Sequence, residues 1–249
     1  MSVHPSARAF DDAAELYDRV RPGYPPAAIE WFTRVLGLAP GSTVVDLAAG
    51  TGKLTVPLVG TGARVVAVEP SEGMIAVLRK AAPQAEAVAG TAEHIPLADG
   101  SADAVLVAQA FHWFDHGVAL PEIHRVLRPG GGLGLVWNRR VLEHPAHAAL
   151  ERAISPWGSD TPRHRDRPWV EAIERTPLFE AIADEELSND QQLPPGGLVQ
   201  RAASISYIAA LPEETRRDAL AELAEFEASA PRPIVLPHVC ELFAFRRVG

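Results

Sequence analysis

The sequence predicts an α/β fold of the Rossmann-like, doubly wound type, with a mostly parallel sheet. First, residues 43–138 contain short, almost continuous apolar runs bounded by Gly, Pro or Asp, which is typical of strands buried on both faces of a parallel sheet. Second, helical patterns separate these runs, and alternating strands and helices imply right-handed βαβ units. Third, 249 residues with 47% hydrophobic content can bury a core large enough for one such domain.

Five strands and three helices are predicted in this region. The strand segments are TVVDLAA (43–49), ARVVAVEP (63–70), AEAVAG (85–90), ADAVLVAQA (102–110) and GGLGLVWN (131–138). The helices are expected over 53–60, 72–82 and 120–128. In the last helix Leu120, Ile123 and Leu127 have helical spacing, Pro121 suits the first turn, and Pro129-Gly130 ends the helix.

Outside residues 43–138 the strand and helix pattern is less regular. The N-terminal 40 residues predict a helix, the turn RPGYP and a second helix over 26–36. The other predicted elements are helices over 145–155 and 168–182, a strand within 184–193, a helix over 213–228 that Pro212 opens, and a last strand over 240–248.

Composition and charge argue against several classes of partner. The formal net charge of -9 and the pI of about 5.5 disfavour nucleic acid and anionic membrane surfaces as partners. The N-terminal residues lack a signal-peptide pattern, and no run approaches the roughly 18 apolar residues of a membrane span. Cys240 is the sole cysteine, which excludes an intrachain disulfide and a Cys-based zinc site and predicts a cytoplasmic location.

The stretch TVVDLAAGTGKLT (43–55) joins the first predicted strand to a glycine turn. It is not a P-loop, because Gly52-Lys53 lacks the following Ser or Thr and Leu47 stands where that motif needs glycine. It also lacks the third glycine of a dinucleotide fingerprint, since Thr55 occupies that position. The acid Asp46 beside a turn without side chains favours instead a ligand with a positive group or hydroxyls.

A second acid, Glu69, ends the next predicted strand. In an open α/β sheet this position faces the crevice beyond the strand ends, where a carboxylate can bind both hydroxyls of a ribose. Structural alternatives stay open for both acids. Asp46 could simply cap the turn, and Glu69 could be a solvated acid at the start of a helix.

Four motifs in order resemble those of class I S-adenosylmethionine-dependent methyltransferases. They are VDLAAGTGKLT, VEPSEGM, GTAEHIPLADGSADAVLVAQAFHWFD and EIHRVLRPGGGLGLVWN, and together they cover about 43–138. The match is to the small-molecule branch that includes trans-aconitate and biotin-pathway carboxyl methyltransferases. The flanking segments YDRVRPGYP and SISYIAALPEETRRDAL are similar to one subgroup, whereas Ala48-Ala49 departs from the GCGTG of many relatives.

The resemblance implies a seven-stranded sheet with an antiparallel last strand, 240–248, inserted beside the fifth, plus a helical lid. We expect a single methyltransferase domain over 1–249. Its parts are an N-terminal helical lid (1–40), a cofactor-binding core (41–138), an acceptor lid insertion (139–205) and a C-terminal helix and strand (206–249).

The resemblance also implies S-adenosylmethionine as the cofactor. Gly50 and Gly52 would line its amino-acid end, Asp46 would hold the ammonium group, and Glu69 would bind the ribose. The full implied set of cofactor-binding residues is Tyr17, Arg21, Asp46, Ala48, Gly50, Thr51, Gly52, Glu69, Pro70, Met74, Thr91, Ala92, Glu93, Gln109 and Ala110.

Within this set, the other residues divide by the part of the cofactor they would face. Pro70 and Met74 would pack on the adenine, and Ala92 and Glu93 would face its amine. Gln109 and Ala110 would lie near the methionine portion. Tyr17 and Arg21 would close over the site, with Arg21 a candidate partner of the carboxylate. Two alternatives stay open: Tyr17 and Arg21 could only pin the N-terminal helix, and Met74 could be a core residue.

For the methyl acceptor, the predicted contacts are His112, Trp113, Trp137, Arg139 and Arg140. His112 follows the fourth strand and is the candidate catalytic base, although an acceptor that is already a carboxylate needs none. The alternative is that His112, between two aromatic residues, only forms a wall of the pocket. No metal is expected, because neither His112 with His116 nor His144 with His147 has a third ligand at a useful spacing.

The arginines that follow the fifth strand favour an anionic acceptor. Arg139 and Arg140 stand directly after that strand, and Arg163, Arg165 and Arg167 follow in PRHRDRPW. A solvated loop that pairs with nearby acids is the alternative. Trp137, Trp157 and Trp169 could line a hydrophobic acceptor pocket or belong to the core.

The sequence thus predicts methyl transfer to a small molecule, such as a carboxylate or another anionic or hydrophobic acceptor. Three other readings stay open: a protein or carrier-bound acyl acceptor, a non-catalytic binder of the cofactor, and a nicotinamide oxidoreductase. The acidic charge and the lack of an NPPY-like motif after the fourth strand argue against nucleic acid as the acceptor.

Overall fold

The computed structural model describes residues 14–158 and 168–249, and their largest unit is a seven-stranded sheet in the order β3-β2-β1-β4-β5-β9-β6. These strands are β1 (Thr43–Leu47), β2 (Arg64–Glu69), β3 (Glu86–Ala89), β4 (Ala102–Ala108), β5 (Leu127–Arg140), β6 (Phe179–Ser188) and β9 (His238–Arg247). Strands β1 to β5 run parallel, and β9 runs antiparallel to both of its neighbours. The predicted doubly wound sheet with an antiparallel last strand is confirmed.

Helices cover both faces of this sheet and continue into the C-terminal half. They are α1 (Ala14–Val20), α2 (Pro26–Leu36), α3 (Thr55–Val59), α4 (Glu72–Ala81), α5 (His116–Val126), α6 (Pro145–Ile154), α7 (Pro168–Glu174), α8 (Gly197–Ala203), α9 (Ser206–Ala209), α10 (Glu213–Ala219) and α11 (Ala221–Ser229). A separate two-stranded sheet pairs β7 (Gln191–Leu193) with β8 (Ile234–Leu236).

The sheet topology determines where a ligand can bind. The chain builds outward from β1 to β3 and then returns to place β4 on the other side of β1. Helices therefore leave β1 and β4 toward opposite faces, and a crevice opens at the carboxyl ends of these two strands. Asp46 and Gln109 both belong to this edge of the sheet.

The sheet has a packed apolar core on each face. On one face, α5 contributes Ala119, Leu120, Ile123 and Val126 to a cluster that also contains Trp137 and Trp169. On the other face, Trp31 and Phe32 of α2 and Leu58 of α3 pack against β1, β4 and β9. The near-continuous apolar strand segments are explained by this burial on both faces.

A third apolar cluster forms a lid beside the sheet; we use this name for α6, α8–α11, β7 and β8. Its core includes Leu150, Leu198, Leu223 and Leu236. The lid therefore extends beyond the boundary expected at residue 205, whereas β6, which lies within the expected insertion, belongs to the main sheet.

The N-terminal 40 residues also divide differently from expectation. Helix α1 packs on α8 of the lid and on α4, whereas α2 packs on the main sheet. Only α1 thus behaves as a cover, within the part of this segment that the structure describes.

Several predicted element boundaries were wrong for local reasons. Helix α5 begins at His116 rather than 120, because Asp115 caps it by accepting a hydrogen bond from the Gly117 amide at 3.1 Å. The chain enters β5 at Leu127, before Pro129-Gly130. The helix expected over 168–182 ends at Glu174, and β6 begins inside its predicted range.

Two smaller differences concern the C-terminal half. The helix expected over 213–228 is interrupted at Leu220, which separates α10 from α11. The last strand begins two residues earlier than predicted, at His238. In the described ranges no helix combines the length and the apolar character that crossing a membrane requires.

Gly134→Ala should destabilise the protein, because β5 and α2 approach closely at Gly134. An added Cβ would lie 2.7 Å from the Phe32 ring and would also clash with Leu106. We expect the free energy of unfolding to fall by about 1–3 kcal/mol in a denaturant titration. Gly23→Ala is the matched control, since its Cβ meets nothing within 4 Å. An unchanged Gly134→Ala midpoint would show that the α2–sheet contact is looser than described.

Candidate functional site

The loop after β1 is a tight turn at the crevice. Ala48, Gly50 and Gly52 have positive φ values of 58°, 57° and 91°. Glycine avoids the steric cost of this conformation at two of the three positions, whereas Ala48 adopts it with a side chain. At Gly50 an added Cβ would meet nothing within 4 Å, so the loop has open space above it.

Glu69 is bound to this loop. One carboxylate oxygen, Oε2, accepts a hydrogen bond from the Gly50 amide at 2.9 Å, and Oε1 accepts one from the Ser71 amide at 3.0 Å. The side chain is 7% exposed. Glu69 is therefore not the solvated acid of the structural alternative: it joins the end of β2 to the glycine turn.

Asp46 is fully buried at the end of β1 and only partly satisfied. Oδ2 accepts a hydrogen bond from the Thr55 hydroxyl at 2.6 Å, which ties Asp46 to the start of α3. Oδ1 has no hydrogen-bond partner among the described residues. Burial raises the pKa of Asp46 to about 7; the Thr55 hydrogen bond opposes this shift and the Glu69 charge adds to it. A cation brought near Oδ1 would stabilise the ionised form.

A cleft opens above the turn and extends toward the ends of β4 and β5. It is lined by Tyr17, Arg21, Pro22, Tyr24, Ala48, Ala49, Gly50, Thr51, Lys53, Leu54, Ala108, Gln109, Asn138 and Arg201. Six residues of the predicted cofactor set thus meet in one cleft: Tyr17, Arg21, Ala48, Gly50, Thr51 and Gln109. Gln109 has a φ of 60°, and such strain in a residue with a side chain is frequent at functional sites.

The N-terminal helix closes the cleft through Arg21. Its guanidinium lies 4.8 Å from the centre of the Tyr17 ring, and it donates from Nε to the Ser204 hydroxyl at 3.1 Å and from Nη2 to the Ser204 carbonyl at 3.0 Å. A second link joins Lys53 to Asp18 at 3.2 Å. Arg21 therefore does pin the N-terminal helix to the lid, and it lines the cleft at the same time.

Arg201 is a cleft residue that the sequence analysis missed. It belongs to α8, is 7% exposed, and its Nε and Nη1 have no hydrogen-bond partner in the ranges 14–158 and 168–249. Burial lowers its pKa well below the usual arginine value, and the charges of Arg21 and Arg140 lower it further. The sequence signal was a charge on the buried face of a helix, since Leu198 and Ala202 share that face.

Comparison with known proteins identifies the family. Residues 45–135 match a family model described as a methyltransferase domain. The chain is 42% identical over 236 residues to an uncharacterised methyltransferase of Mycobacterium tuberculosis, a match that covers 93% of this chain and 92% of the relative. The chain belongs to the class I S-adenosylmethionine-dependent methyltransferases.

Other relatives agree with this methyltransferase assignment. A methyltransferase-like protein of Schizosaccharomyces pombe is 34% identical over 227 residues, 87% of this chain and 84% of that protein. A structure described as a type II methyltransferase from Anaeromyxobacter dehalogenans covers 91% of this chain and 97% of its own, with 25% identity and a TM-score of 0.68. A demethylmenaquinone methyltransferase of Beutenbergia cavernae is 39% identical, but over 52% of this chain and 56% of its own.

The remaining predicted cofactor residues of this methyltransferase lie along the ends of β2 and β3. Met74 is 4% exposed and follows Ser71, whose hydroxyl caps α4 by accepting from the Met74 amide at 3.1 Å. Pro70 is exposed and Ala92 is buried. These positions lie outside the lining of the cleft, so their contact with an adenine stays a prediction.

Two further members of the set, Glu93 and Ala110, lie at the 3₁₀ turn after β4, Phe111–Trp113, and Thr91 pairs through its backbone with His94. Glu93 accepts a hydrogen bond from the Asp115 amide at 3.2 Å, which joins the β3 side of the site to that turn. The buried Thr91 hydroxyl has no hydrogen-bond partner within the described chain, and Ala110 directly precedes the turn.

His112, in this 3₁₀ turn, contacts two tryptophans. Its Nδ1 accepts a hydrogen bond from the Trp137 indole at 3.4 Å, and its ring lies 5.2 Å from the Trp113 ring. Because Nδ1 is the acceptor, the neutral ring carries its proton on Nε2. In this arrangement Nε2 is a donor, which favours positioning of an acceptor over removal of its proton.

The tryptophans predicted near the acceptor have different environments. Trp137 is 1% exposed and stacks on Trp169 with ring centres 4.7 Å apart, so both belong to the core of the α5 face. Trp157 is 40% exposed and lies outside the lining of the cleft.

Both arginines at the end of β5 are engaged by acids. Arg139 lies 3.0 Å from the buried Glu241, and Arg140 lies 3.0 Å from Glu151. Their charges are thus compensated, and neither residue lines the cleft. The predicted contact of this pair with the acceptor stays untested. Arg163, Arg165 and Arg167 lie outside the described residues.

Replacing Arg201 with methionine should stabilise the ligand-free protein. Methionine keeps the aliphatic stem and removes a buried charge that has no counter-ion in the described chain. We expect the free energy of unfolding to rise by about 1–3 kcal/mol, measured by denaturant titration. The matched control Arg217→Met, at an arginine whose side chain is 71% exposed, should change it little. A loss of stability in Arg201→Met would indicate that the guanidinium is already satisfied within the fold.

Proposed function

We propose that the protein transfers the methyl group of S-adenosylmethionine to a small molecule bound beside the ends of β4 and β5. The observation that carries this proposal is the link between Glu69 and Gly50, since it places a nearly buried carboxylate beside a turn that has open space above Gly50. Glu69 would accept the ribose hydroxyls, and Asp46 would face the ammonium group. The amino-acid end would then lie in the cleft beneath Tyr17 and Arg21.

Methyl transfer depends more on the orientation of the two reactants than on acid–base groups of the protein. In the reaction the acceptor forms a bond to the methyl carbon while the carbon–sulfur bond breaks, and the sulfonium becomes a neutral thioether. The cofactor supplies the reactive group, and the protein aligns acceptor, methyl and sulfur. In this proposal His112 holds the acceptor as a hydrogen-bond donor through Nε2.

The cover over the cleft supports a small acceptor. Helix α1 and the lid meet above it through the hydrogen bonds from Arg21 to Ser204. This enclosure favours a small molecule over a folded protein or a nucleic acid. A carrier-bound acyl group, which could reach in on a flexible arm, and a non-catalytic role remain the alternatives. A cytoplasmic location is part of the proposal, since the single cysteine, Cys240, is buried and cannot form an intrachain disulfide.

Turnover should be tested directly with the purified protein. Incubation with methyl-labelled S-adenosylmethionine and a panel of small carboxylic acids, phenols and amines should yield a labelled small product. Label transferred to an acyl carrier protein instead would support the carrier-bound alternative. Cofactor binding without transfer to any acceptor class would support the non-catalytic one.

Glu69→Gln should weaken the binding of S-adenosylhomocysteine by about 1.5–3 kcal/mol in isothermal titration calorimetry. The change removes the charge that strengthens hydrogen bonds to the ribose, while the side chain keeps its shape. Glu86→Gln, an exposed acid on the neighbouring strand, is the control and should bind normally. Equal affinities in both variants would place the ribose away from Glu69.

Asp46 should make cofactor binding depend on pH. Its pKa is about 7 without ligand, and a bound ammonium group would lower this value. Below pH 7 binding must then release a proton, so affinity should rise with pH by at most tenfold per unit and level off above about 7. Calorimetry with S-adenosylhomocysteine from pH 5.5 to 8 would measure this. Asp46→Asn should remove the dependence; a wild-type affinity that is constant over this range would contradict the contact.

A further inference from the structure

Arg201 differs from the other arginines around the cleft, because two of its guanidinium nitrogens have no partner among the described residues. Arg21 donates to Ser204, Arg139 pairs with Glu241, and Arg140 pairs with Glu151. Arg201 is more than nine-tenths buried, and its Nε and Nη1 lack partners in the part of the chain that the structure describes. Burying a charge in this way is unfavourable unless another molecule supplies the counter-charge.

The surroundings of Arg201 are positive rather than negative. The groups with the largest influence on its pKa are Arg21, Arg140, Tyr17 and Tyr207, and no carboxylate is among them. The positive charge of Arg201 also affects His238. The pKa of His238 falls to about 4 because of burial and this nearby charge. The wall of the cleft formed by α8 is thus a place where an anion would be stabilised by more than one charge.

We propose that Arg201 binds an oxyanion of the methyl acceptor, either a carboxylate or a phosphate group. Arg201 lines the cleft together with Gln109, which directly follows β4, and Asn138, which lies two residues before the end of β5. This is the side where the acceptor lies in the proposed function, and it is opposite to β2 and Glu69. The inference rests on that proposed function and makes Arg201 a determinant of acceptor specificity.

The cofactor has a carboxylate of its own, which is a second source of the same chemistry. Arg21 is also a cleft residue, and it directly follows α1, which would cover the amino-acid end. The proposal assigns the cofactor carboxylate to the Arg21 side and leaves Arg201 for the acceptor. An experiment must therefore separate an anion that binds beside the cofactor from one that belongs to it.

The test uses the full chain saturated with S-adenosylhomocysteine and titrated with succinate and, separately, with inorganic phosphate. Binding is followed by calorimetry and by the rise in melting temperature. The buffer contains chloride and no oxyanion other than the one titrated. We expect at least one oxyanion to bind the wild type, and Arg201→Gln to weaken that binding at least tenfold. Arg217→Gln, which removes an exposed arginine charge from the lid region, should bind the oxyanion as the wild type does. Arg201→Lys should retain part of the affinity.

Three results would overturn the inference. One is an oxyanion response that is equal in the wild type and in Arg201→Gln. Another is no response to either oxyanion in the wild type. The third is a loss of S-adenosylhomocysteine affinity in Arg201→Gln with unchanged affinity for methylthioadenosine, which lacks the amino-acid end and would thus reveal the cofactor carboxylate as the partner.

The proposed function can fail separately from this inference. If the wild type does not bind S-adenosylhomocysteine, the proposed function is wrong. The same oxyanion titrations on the unloaded chain then still decide whether Arg201 is an anion site. A tenfold loss of oxyanion affinity in Arg201→Gln would support the site, and an unchanged affinity would contradict it. Circular dichroism of each variant confirms that the fold is intact.

Discussion

The hydrogen bond from the Gly50 amide to Glu69 is the interaction on which the rest of the site depends. It joins the ends of two parallel strands, β1 and β2, through a turn whose backbone is left-handed at Ala48, Gly50 and Gly52. A carboxylate held in this way is oriented although it is nearly buried, because each of its oxygens accepts a hydrogen bond from a backbone amide. The turn remains open on its other side, so a ligand can approach the backbone closely.

The cover over this turn is built from segments that are far apart in sequence. Arg21 from the N-terminal segment reaches Ser204 at the end of α8, and α8 is itself held at its other end by the buried Glu227, whose carboxylate accepts from the Leu198 and Val199 amides. A single polar connection thus runs from the N-terminal helix through α8 to α11. The Arg21–Ser204 contact is thus part of the cover, since both Arg21 and α8, through Arg201, line the cleft.

The sheet was predictable from sequence because its signal is local: each strand is a short apolar run, and Asp46, Glu69 and the glycines stand at their ends. The cleft residues that the family resemblance implied were also predictable, because they belong to short local motifs. Boundaries failed where a residue acted against its usual preference, as with Pro121, which lies in the second turn of α5 after Asp115 has already capped it. Arg201 shares a helix face with Leu198 and Ala202, but its place in the cleft comes from burial by α1 and the lid, which no local pattern encodes. The ion pairs of Arg139 and Arg140 depend on Glu241 and Glu151 in the same way.

Asp46 and Arg201 are acid and base, and each has side-chain atoms without a hydrogen-bond partner among the described residues. The two side chains do not pair with each other. Asp46 is fully buried and fixed by Thr55 at the end of β1, whereas Arg201 is fixed on α8 in the wall of the cleft. Burial pushes both toward their neutral forms, raising the pKa of Asp46 and lowering that of Arg201. A cation near Asp46 and an anion near Arg201 would each reverse this shift and gain binding energy from a charge already desolvated by the fold. Burying these two groups therefore lowers the free energy of unfolding of the ligand-free protein. A ligand that pairs with them would recover this cost as binding energy.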